Sequence, residues 1–261
     1  MNASRRPYYS PNDQPVLEQS IVVEADIPGY KFRLERAHKE GREEAELRLL
    51  HDAIAEAYRE ISDAGGAKWR VKTFSDNLMV GYPWLGTGGG AFEFDQACCS
   101  IAHFQLSLAV RGIFIRGGIA VGPIHIGDHF VFGRILSEMK KMDETAVNPC
   151  VYLAESAMDY MKRNQSCDAD NSLANVLWKD SDHVFINYLF PLNCLGDKLR
   201  KEMVEKHRDM IMANLQEFHC KSSPHDERVF KKYVWLKDYH NSFCRLSRYW
   251  RDPPFLIPDS F

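Results

Sequence analysis

Several features that would assign a chain to a familiar functional class are missing from this sequence. It has no long basic run and a formal net charge of −3, so it lacks the electrostatic surface that duplex nucleic acid requires. No apolar run approaches the roughly 18 residues of a membrane span, and the N-terminal residues lack the apolar centre of a signal peptide. The sequence therefore predicts a cytoplasmic protein that binds neither nucleic acid nor membrane.

Paired cysteines of the kind that hold zinc or form redox centres are also missing. The seven cysteines are scattered, their number is odd, and none forms a C-x-x-C motif. This favours reduced thiols over a disulfide framework. Cys98 falls on one helical face with Ile101, Phe104 and Leu108, which predicts a small apolar core residue. No Ser-His-Asp or Cys-His constellation is readable, so no covalent nucleophile is assigned.

What the sequence does contain is a pair of aspartates, each at the edge of an apolar, strand-like run. Asp26 follows such a run and precedes Pro28 and Gly29, which end the strand in a turn whose backbone N–H groups can face a phosphate. Asp76 lies at the bend of a hairpin between two apolar segments. Asp26 alone would indicate only a capped turn. Brought together, the two carboxylates form a ligand set for Mg²⁺ or Mn²⁺ with a nucleoside triphosphate.

The order of elements predicts the fold class. Strands are expected at about 19–26, 68–75, 77–83 and 149–153, with a further hairpin over 114–133. Helices are expected at about 33–63, 93–110 and 134–143, followed by two amphipathic segments, 197–220 and 229–243. This order predicts an α+β fold with an antiparallel-rich sheet and helices on one face. We divide the chain into an N-terminal tail (1–18), a catalytic domain (19–190) and a helical C-terminal extension (191–261).

Two histidines flank the predicted turn of the second hairpin at Gly127-Asp128. His125 and His129 could be metal ligands together with Asp128. However, the sequence supplies none of the hydrogen-bonding partners that metal-bound histidines usually have. We therefore expect two exposed histidines at the tip of a hairpin.

In their order along the chain, these residues resemble the catalytic domain of the class III nucleotidyl cyclases. The resemblance covers about residues 19–157 and is carried by Asp26-Ile27-x-Gly29, Lys72 four residues before Asp76, Arg116-x-Gly118-Ile119, Gly122-Pro123, and Gly133 at a helix start. It implies a ferredoxin-like core, a head-to-tail homodimer, and attack of the ribose 3′-oxygen on the α-phosphorus of a nucleoside triphosphate. The products would be a 3′,5′-cyclic nucleotide and pyrophosphate. The implied ligands of two Mn²⁺ or Mg²⁺ ions are Asp26, Ile27 and Asp76, and the implied triphosphate site is Ile27, Pro28, Gly29 and Tyr30.

The helix after the second hairpin departs from the family pattern. Purine cyclases usually carry an Asn and an Arg there, whereas alignment from Gly133 places Ser137 and Lys141 at those positions. Lys141 can supply charge to the transition state, although an ammonium lacks the fork of a guanidinium. Arg134 is a second candidate, and a solvated helix face formed by Lys140 and Lys141 is the alternative. We assign catalytic roles to Asp26, Asp76, Lys141 and Arg134, and substrate binding to Ser137.

The residues expected to contact the base also depart from the adenylate cyclase pattern. Lys72 matches the lysine that holds adenine in that family, but its aspartate partner falls on or beside Phe130. A phenyl ring cannot accept the adenine amino proton, although it can stack on a base or wall it off. We therefore infer a base other than adenine, with a register shift that would restore Asp128 as the alternative.

Among the relatives, the sequence is most similar to the stand-alone pyrimidine cyclases of Pycsar antiphage defence. That resemblance implies UTP or CTP as the substrate, and cUMP or cCMP as a second messenger for a separate effector. The alternatives that the sequence leaves open are an adenylate or guanylate cyclase and a catalytically inactive nucleotide-binding module.

Overall fold

The computed structural model describes most of the chain. The residues that it describes are 6–65, 69–84, 89–145, 147–164, 175–180, 183–219, 223–247, 250 and 253–259. Within them, eight strands form one sheet and seven α-helices pack around it. The strands are β1 (Glu18–Asp26), β2 (Arg70–Phe74), β3 (Asn77–Pro83), β4 (Arg116–Ile126), β5 (Val131–Phe132), β6 (Val151–Leu153), β7 (Leu177–Lys179) and β8 (Val184–Ile186). The helices are α1 (Tyr30–Lys39), α2 (Glu43–Gly65), α3 (Ala91–Ala109), α4 (Ile135–Thr145), α5 (Glu155–Asn164), α6 (Asp197–His219) and α7 (Pro224–Leu246).

The first four strands form the part of the sheet that carries the site. They lie in the order β2-β3-β1-β4, and each neighbouring pair is antiparallel. Because helices connect β1 to β2 and β3 to β4, this is the connectivity of a ferredoxin-like core. β6 pairs with β4 in parallel, and β8 and β7 continue the sheet on that side. The predicted α+β class with an antiparallel-rich sheet is confirmed.

Both faces of this sheet are covered, by different elements. Ile21 and Val23 pack into the larger core, which also contains residues of α2 and α3. Val22 points to the opposite face, where it belongs to a second cluster with Tyr8 and with Met139 of α4. The expectation that helices lie on one face is therefore wrong for α4. The reason is that β1 is apolar at consecutive positions, and the side chains of a strand alternate between the faces.

The single helix predicted over 33–63 is two helices. α1 ends at Lys39, and Gly41 has a φ of +64°, in the left-handed region that glycine adopts without steric cost. α2 then begins at Glu43 with acidic side chains in its first turn, where they complement the helix dipole. The break leaves α1 as a short helix that follows directly on the turn after β1.

The N-terminal segment packs against the sheet. Tyr8 is fully buried, and its hydroxyl lies 3.2 Å from the hydroxyl of Ser20. His125 is also buried, with Nδ1 at 3.1 Å from the backbone oxygen of Tyr8. The prediction of two exposed histidines is thus wrong for His125, because the N-terminal segment covers it, and confirmed for His129.

The two predicted C-terminal amphipathic segments are confirmed as α6 and α7, which are joined by a buried chain of hydrogen bonds. The Nε2 of His240 lies 2.8 Å from the backbone oxygen of Phe255 and therefore donates to it. The His240 Nδ1 must then accept from Nδ1 of His207 at 2.9 Å, which leaves His207 Nε2 to accept from the Tyr188 hydroxyl at 3.0 Å. Every member is satisfied only while both imidazoles are neutral.

We expect mild acid to destabilise this helix pair. Burial lowers the pKa of His207 well below its usual range and that of His240 to about 4. The unfolded chain takes up these protons near pH 6.5, whereas the folded chain does not. The free energy of unfolding is therefore highest above pH 6.5 and decreases as the pH falls from 6.5 to 4. For His240 alone the loss at pH 4 is about 3 kcal/mol.

Urea denaturation at several pH values, followed by tryptophan fluorescence, measures this loss. The control is the double variant His207→Gln/His240→Gln, whose amides donate and accept hydrogen bonds without titrating. Its stability should fall less between pH 6.5 and 4. Equal losses in both proteins would show that the histidine pair is not responsible.

Cys98 is fully buried in the core, as the sequence predicted. Burial raises the pKa of its thiol well above the usual range, which keeps it in the unreactive protonated form. None of the helices in the described part of the chain combines the length and apolar character needed to cross a bilayer.

Candidate active site

Asp26 is the last residue of β1, at one edge of the central sheet. It pairs in register with Arg116, the first residue of β4. Because paired residues of antiparallel strands point to the same face, their side chains meet. Arg116 Nε donates to Asp26 Oδ1 at 2.9 Å, and Nη2 donates to Oδ2 at 3.0 Å. The result is a two-pronged, partly buried ion pair, with the carboxylate only 16% exposed.

Asp76 is at the same edge of the sheet. β2 and β3 are joined by a two-residue turn, Ser75 and Asp76, in which Ser75 has a φ of +57°. Ala25 of β1 is opposite Leu78 of β3. Continuing this register, Asp76 lies across from Asp26 on the side of β3 and about one residue further along the strand direction. The sheet register therefore brings the two predicted carboxylates to neighbouring strand ends.

The turn between β1 and α1 follows directly on Asp26. Gly29 has a φ of +81° and precedes the first residue of α1, a conformation that would strain any residue with a side-chain Cβ. The backbone N–H of Tyr30 donates to the Ile27 oxygen at 3.1 Å, and that of Arg33 donates to the Gly29 oxygen. The intervening N–H groups at the start of α1 have no acceptor within the helix and point out of its N-terminal end.

Lys72 and Phe130, the two residues predicted to contact the base, lie close together. β4 and β5 form a short hairpin, and Lys72 Nζ of β2 donates to the backbone oxygen of Asp128 in the turn between them at 2.7 Å. The carboxylate of Asp128 pairs with Arg6. Phe130 is 55% exposed, and its ring centroid is 5.1 Å from that of His125.

The residues predicted on the helix after this hairpin are all exposed. Arg134, which precedes α4, is exposed, and so are Ser137 and Lys141 of the helix. Ile135 and Met139 of α4 face the sheet instead, so the three predicted residues share the outward side of the helix. They therefore form one exposed face of α4, opposite the side that packs on the sheet.

Three cations in or beside the candidate site were not predicted as site residues. Arg116 belongs to a quoted motif, but its contact with Asp26 depends on a strand register that the sequence does not reveal. Lys232 and Arg228 belong to α7, far away in sequence. Burial lowers the pKa of Lys232; Arg116 lowers it further, the Asp26 carboxylate raises it, and Arg228 has the smallest, lowering effect. The C-terminal helices thus bring positive charge towards the end of β1.

A cavity of about 370 Å³ lies beside the turn after β1. Its walls are the turn itself, α1, and residues of α6 and α7. Ile27, Pro28 and Gly29 line one side, and Lys232 and Tyr233 line another. The cavity therefore adjoins the predicted triphosphate site.

Asp26 and Asp76 offer the hard oxygen ligands that Mg²⁺ and Mn²⁺ take. Each oxygen of Asp26 accepts one hydrogen bond from Arg116 and keeps a further lone pair. Among the described residues, no group of three or more His, Cys, Asp or Glu side chains is arranged for a metal ion. Two carboxylates with the backbone oxygen of Ile27 fit an ion that takes its other ligands from water and phosphate.

Comparisons with known proteins give similarities of fold. No family model matches the sequence, and no curated protein matches it. Among solved structures, the adenylyl cyclase CyaB from P. aeruginosa has a TM-score of 0.49 at 16% identity, over 65% of this chain and 92% of that one. A class III adenylyl cyclase-like ATP-binding protein from Pseudomonas aeruginosa has a TM-score of 0.44 at 18% identity, over 55% of this chain and 35% of that one.

The catalytic core of a rhodopsin-guanylyl cyclase with converted specificity, in complex with ATPalphaS, has a TM-score of 0.42 at 18% identity, over 56% of this chain and 82% of that one. TM-scores below 0.5 at such identities do not establish a shared activity.

Proposed function

We propose that this chain is a metal-dependent nucleotidyl cyclase that converts UTP or CTP to its 3′,5′-cyclic monophosphate and pyrophosphate. The observation that carries the proposal is the placement of Asp26 and Asp76 at neighbouring strand ends, beside a glycine turn that opens α1. Two carboxylates and a phosphate-binding turn are what a metal–triphosphate complex requires. No protein nucleophile is needed, because the attacking group is the ribose hydroxyl.

The proposed metal ligands are Asp26, Asp76 and the backbone oxygen of Ile27. When bound, two Mg²⁺ or Mn²⁺ ions would activate the 3′-oxygen and neutralise charge on the departing pyrophosphate. The chain itself orients the triphosphate through the turn from Ile27 to Tyr30 and the free N–H groups at the start of α1. Arg116 holds the Asp26 carboxylate in a fixed orientation through two hydrogen bonds. Positioning and charge compensation account for most of the catalysis of phosphoryl transfer.

The proposed base site is the hairpin tip. Lys72 donates to this tip, and the half-exposed ring of Phe130 presents a flat apolar surface there. An aromatic face stacks on a base without reading its hydrogen-bonding edge. Because Arg6 already pairs with the Asp128 carboxylate, that side chain is less available to an adenine amino group. These contacts argue against adenine. The pyrimidine is proposed from the resemblance to the pyrimidine cyclases, and cUMP or cCMP would then act as a messenger for a separate effector in antiviral defence.

We further propose a homodimer with two equivalent sites. Arg134, Ser137 and Lys141 are exposed at the start of α4 and along it, so they are accessible to a substrate held by the carboxylates of a second copy of the chain. A two-fold assembly lets each chain supply the carboxylates to one site and the α4 cations to the other.

Mixing two inactive variants tests this arrangement. Asp76→Asn removes a carboxylate, and Arg134→Ala/Lys141→Ala removes the cations of α4. After mixing in equal amounts with subunit exchange, half the dimers are mixed and each has one intact site, so we expect about a quarter of the wild-type activity. Each variant alone is the control. Complete inactivity of a mixture that sedimentation shows to contain mixed dimers would contradict shared sites.

The function is tested by incubating the purified protein with ATP, GTP, CTP and UTP separately in the presence of Mn²⁺ and identifying the products by mass spectrometry. A cyclic pyrimidine monophosphate is expected. Formation of cyclic AMP or cyclic GMP would support the proposed cyclase activity but refute the proposed preference for a pyrimidine. Binding of a triphosphate without release of pyrophosphate would identify a catalytically inactive nucleotide-binding module. This second candidate is favoured by Ser137 and Lys141, which stand where purine cyclases usually carry an Asn and an Arg.

A further inference from the structure

The cavity beside the β1–α1 turn is closed on one side by α7, a helix outside the ferredoxin-like core. Lys232 of α7 lines this cavity together with Ile27, Pro28 and Gly29. Any group bound against the turn on this side therefore meets the C-terminal helix as well as the core.

Most of the cations of this cavity are already neutralised by carboxylates. The pairs are Arg33 with Glu46, Arg36 with Glu217, Arg42 with Glu40, and Arg111 with Glu56. Lys232 is different, because within the described part of the chain no carboxylate forms an ion pair with it. It is partly buried, and Asp26, the carboxylate that raises the pKa of Lys232, is itself engaged by Arg116.

Lys232 also has a second cation beside it. Arg228 precedes it by four residues on the same helix, and residues at this spacing are neighbours on the helix surface. Like charges so placed repel each other, and an anion between them would relieve the repulsion. The matching ligand carries several negative oxygens and fits beside a turn with free N–H groups, which describes a polyphosphate.

We propose that Lys232, assisted by Arg228, binds the terminal phosphates of the nucleoside triphosphate, so that α7 completes the phosphate site. This inference deepens the proposed function and rests on it for the identity of the substrate. In the reaction these two phosphates leave as pyrophosphate, and Lys232 compensates the charge that accumulates on them. The C-terminal helices are thus part of the binding site in addition to their packing role.

Calorimetric binding of inorganic tripolyphosphate in MgCl₂ tests this assignment without requiring turnover. Lys232→Met should weaken binding about 10- to 100-fold, as expected for the loss of a charge-assisted contact, and raise KM for the substrate. Lys232→Arg should retain most of the affinity. The matched control is Lys231→Met, because Lys231 is exposed on the same helix and pairs with Glu227 at 2.8 Å. It should bind within about twofold of wild type.

The outcomes separate this inference from the function itself. Unchanged binding by Lys232→Met, or no binding of tripolyphosphate by the wild type, overturns the assignment. Weakened binding in a protein that forms no cyclic nucleotide from any triphosphate supports Lys232 as a polyphosphate ligand and refutes the cyclase. If Lys232→Met does not fold, Arg228→Gln serves instead, because Arg228 is exposed; it should weaken binding severalfold, and unchanged binding would count against the proposal.

Discussion

Asp26→Asn and Asp76→Asn should each reduce cyclic nucleotide formation by about 10³-fold or more, which corresponds to about 4 kcal/mol of transition-state stabilisation. Each amide keeps the size of the carboxylate and removes the charge that would hold a divalent cation. Asp26→Asn also weakens the two hydrogen bonds from Arg116, since a neutral amide presents only one acceptor oxygen. The measurement is initial rate with saturating triphosphate and Mn²⁺.

The control for this pair is Asp52→Asn. Asp52 is an exposed carboxylate on α2, and its loss should leave the rate within about twofold of wild type. Circular dichroism should show that all three variants are folded. If either site variant keeps more than about a tenth of the wild-type rate, the loss is too small for a metal ligand, and the assignment of that aspartate is refuted.

Gly117→Ala should destabilise the protein by about 3 kcal/mol or more. A Cβ at this position would lie 2.0 Å from the backbone oxygen of Glu24 and 2.7 Å from the Cα of Ala25. Both are main-chain atoms of β1, so the clash can be relieved only if β1 and β4 move apart, next to the Asp26–Arg116 pair. Denaturant unfolding should show a lower midpoint, and activity should fall because Asp26 shifts.

The adjacent glycine provides a matched control. At Gly118 the nearest atoms to an added Cβ belong to the flexible side chain of Met142, at 3.6 Å, which is an ordinary contact distance. Gly118→Ala should therefore change stability by less than about 1 kcal/mol. Similar midpoints for the two variants would mean that the close approach of β1 to β4 is not present in solution.

The predictions that depend on local sequence agree with the structure, except at the break between α1 and α2. Asp26 is followed by Pro28 and Gly29, which cannot continue a strand, so the end of β1 was readable from the chain alone. The amphipathic patterns of α6 and α7 likewise gave helices within a few residues of the observed ends. The break between α1 and α2 carried a signal in Gly41, but the apolar pattern on either side outweighed it.

The features that were not predicted depend on which elements become neighbours. The contact of Arg116 with Asp26 depends on the register between β1 and β4. A shift of that register by one residue would move every side chain of the shifted strand to the other face of the sheet. Lys232 reaches the cavity only because α7 packs beside α1, a contact between segments nearly 200 residues apart. The burial of His125 similarly depends on where the N-terminal segment lies.

The most direct test of the central claim is a phosphorus-31 NMR time course of each nucleoside triphosphate with the purified protein and MgCl₂. The account predicts that, with UTP or CTP, a cyclic phosphodiester signal and a pyrophosphate signal grow together in equal amounts. Release of orthophosphate with formation of a nucleoside diphosphate, or no change with any of the four triphosphates, would contradict it.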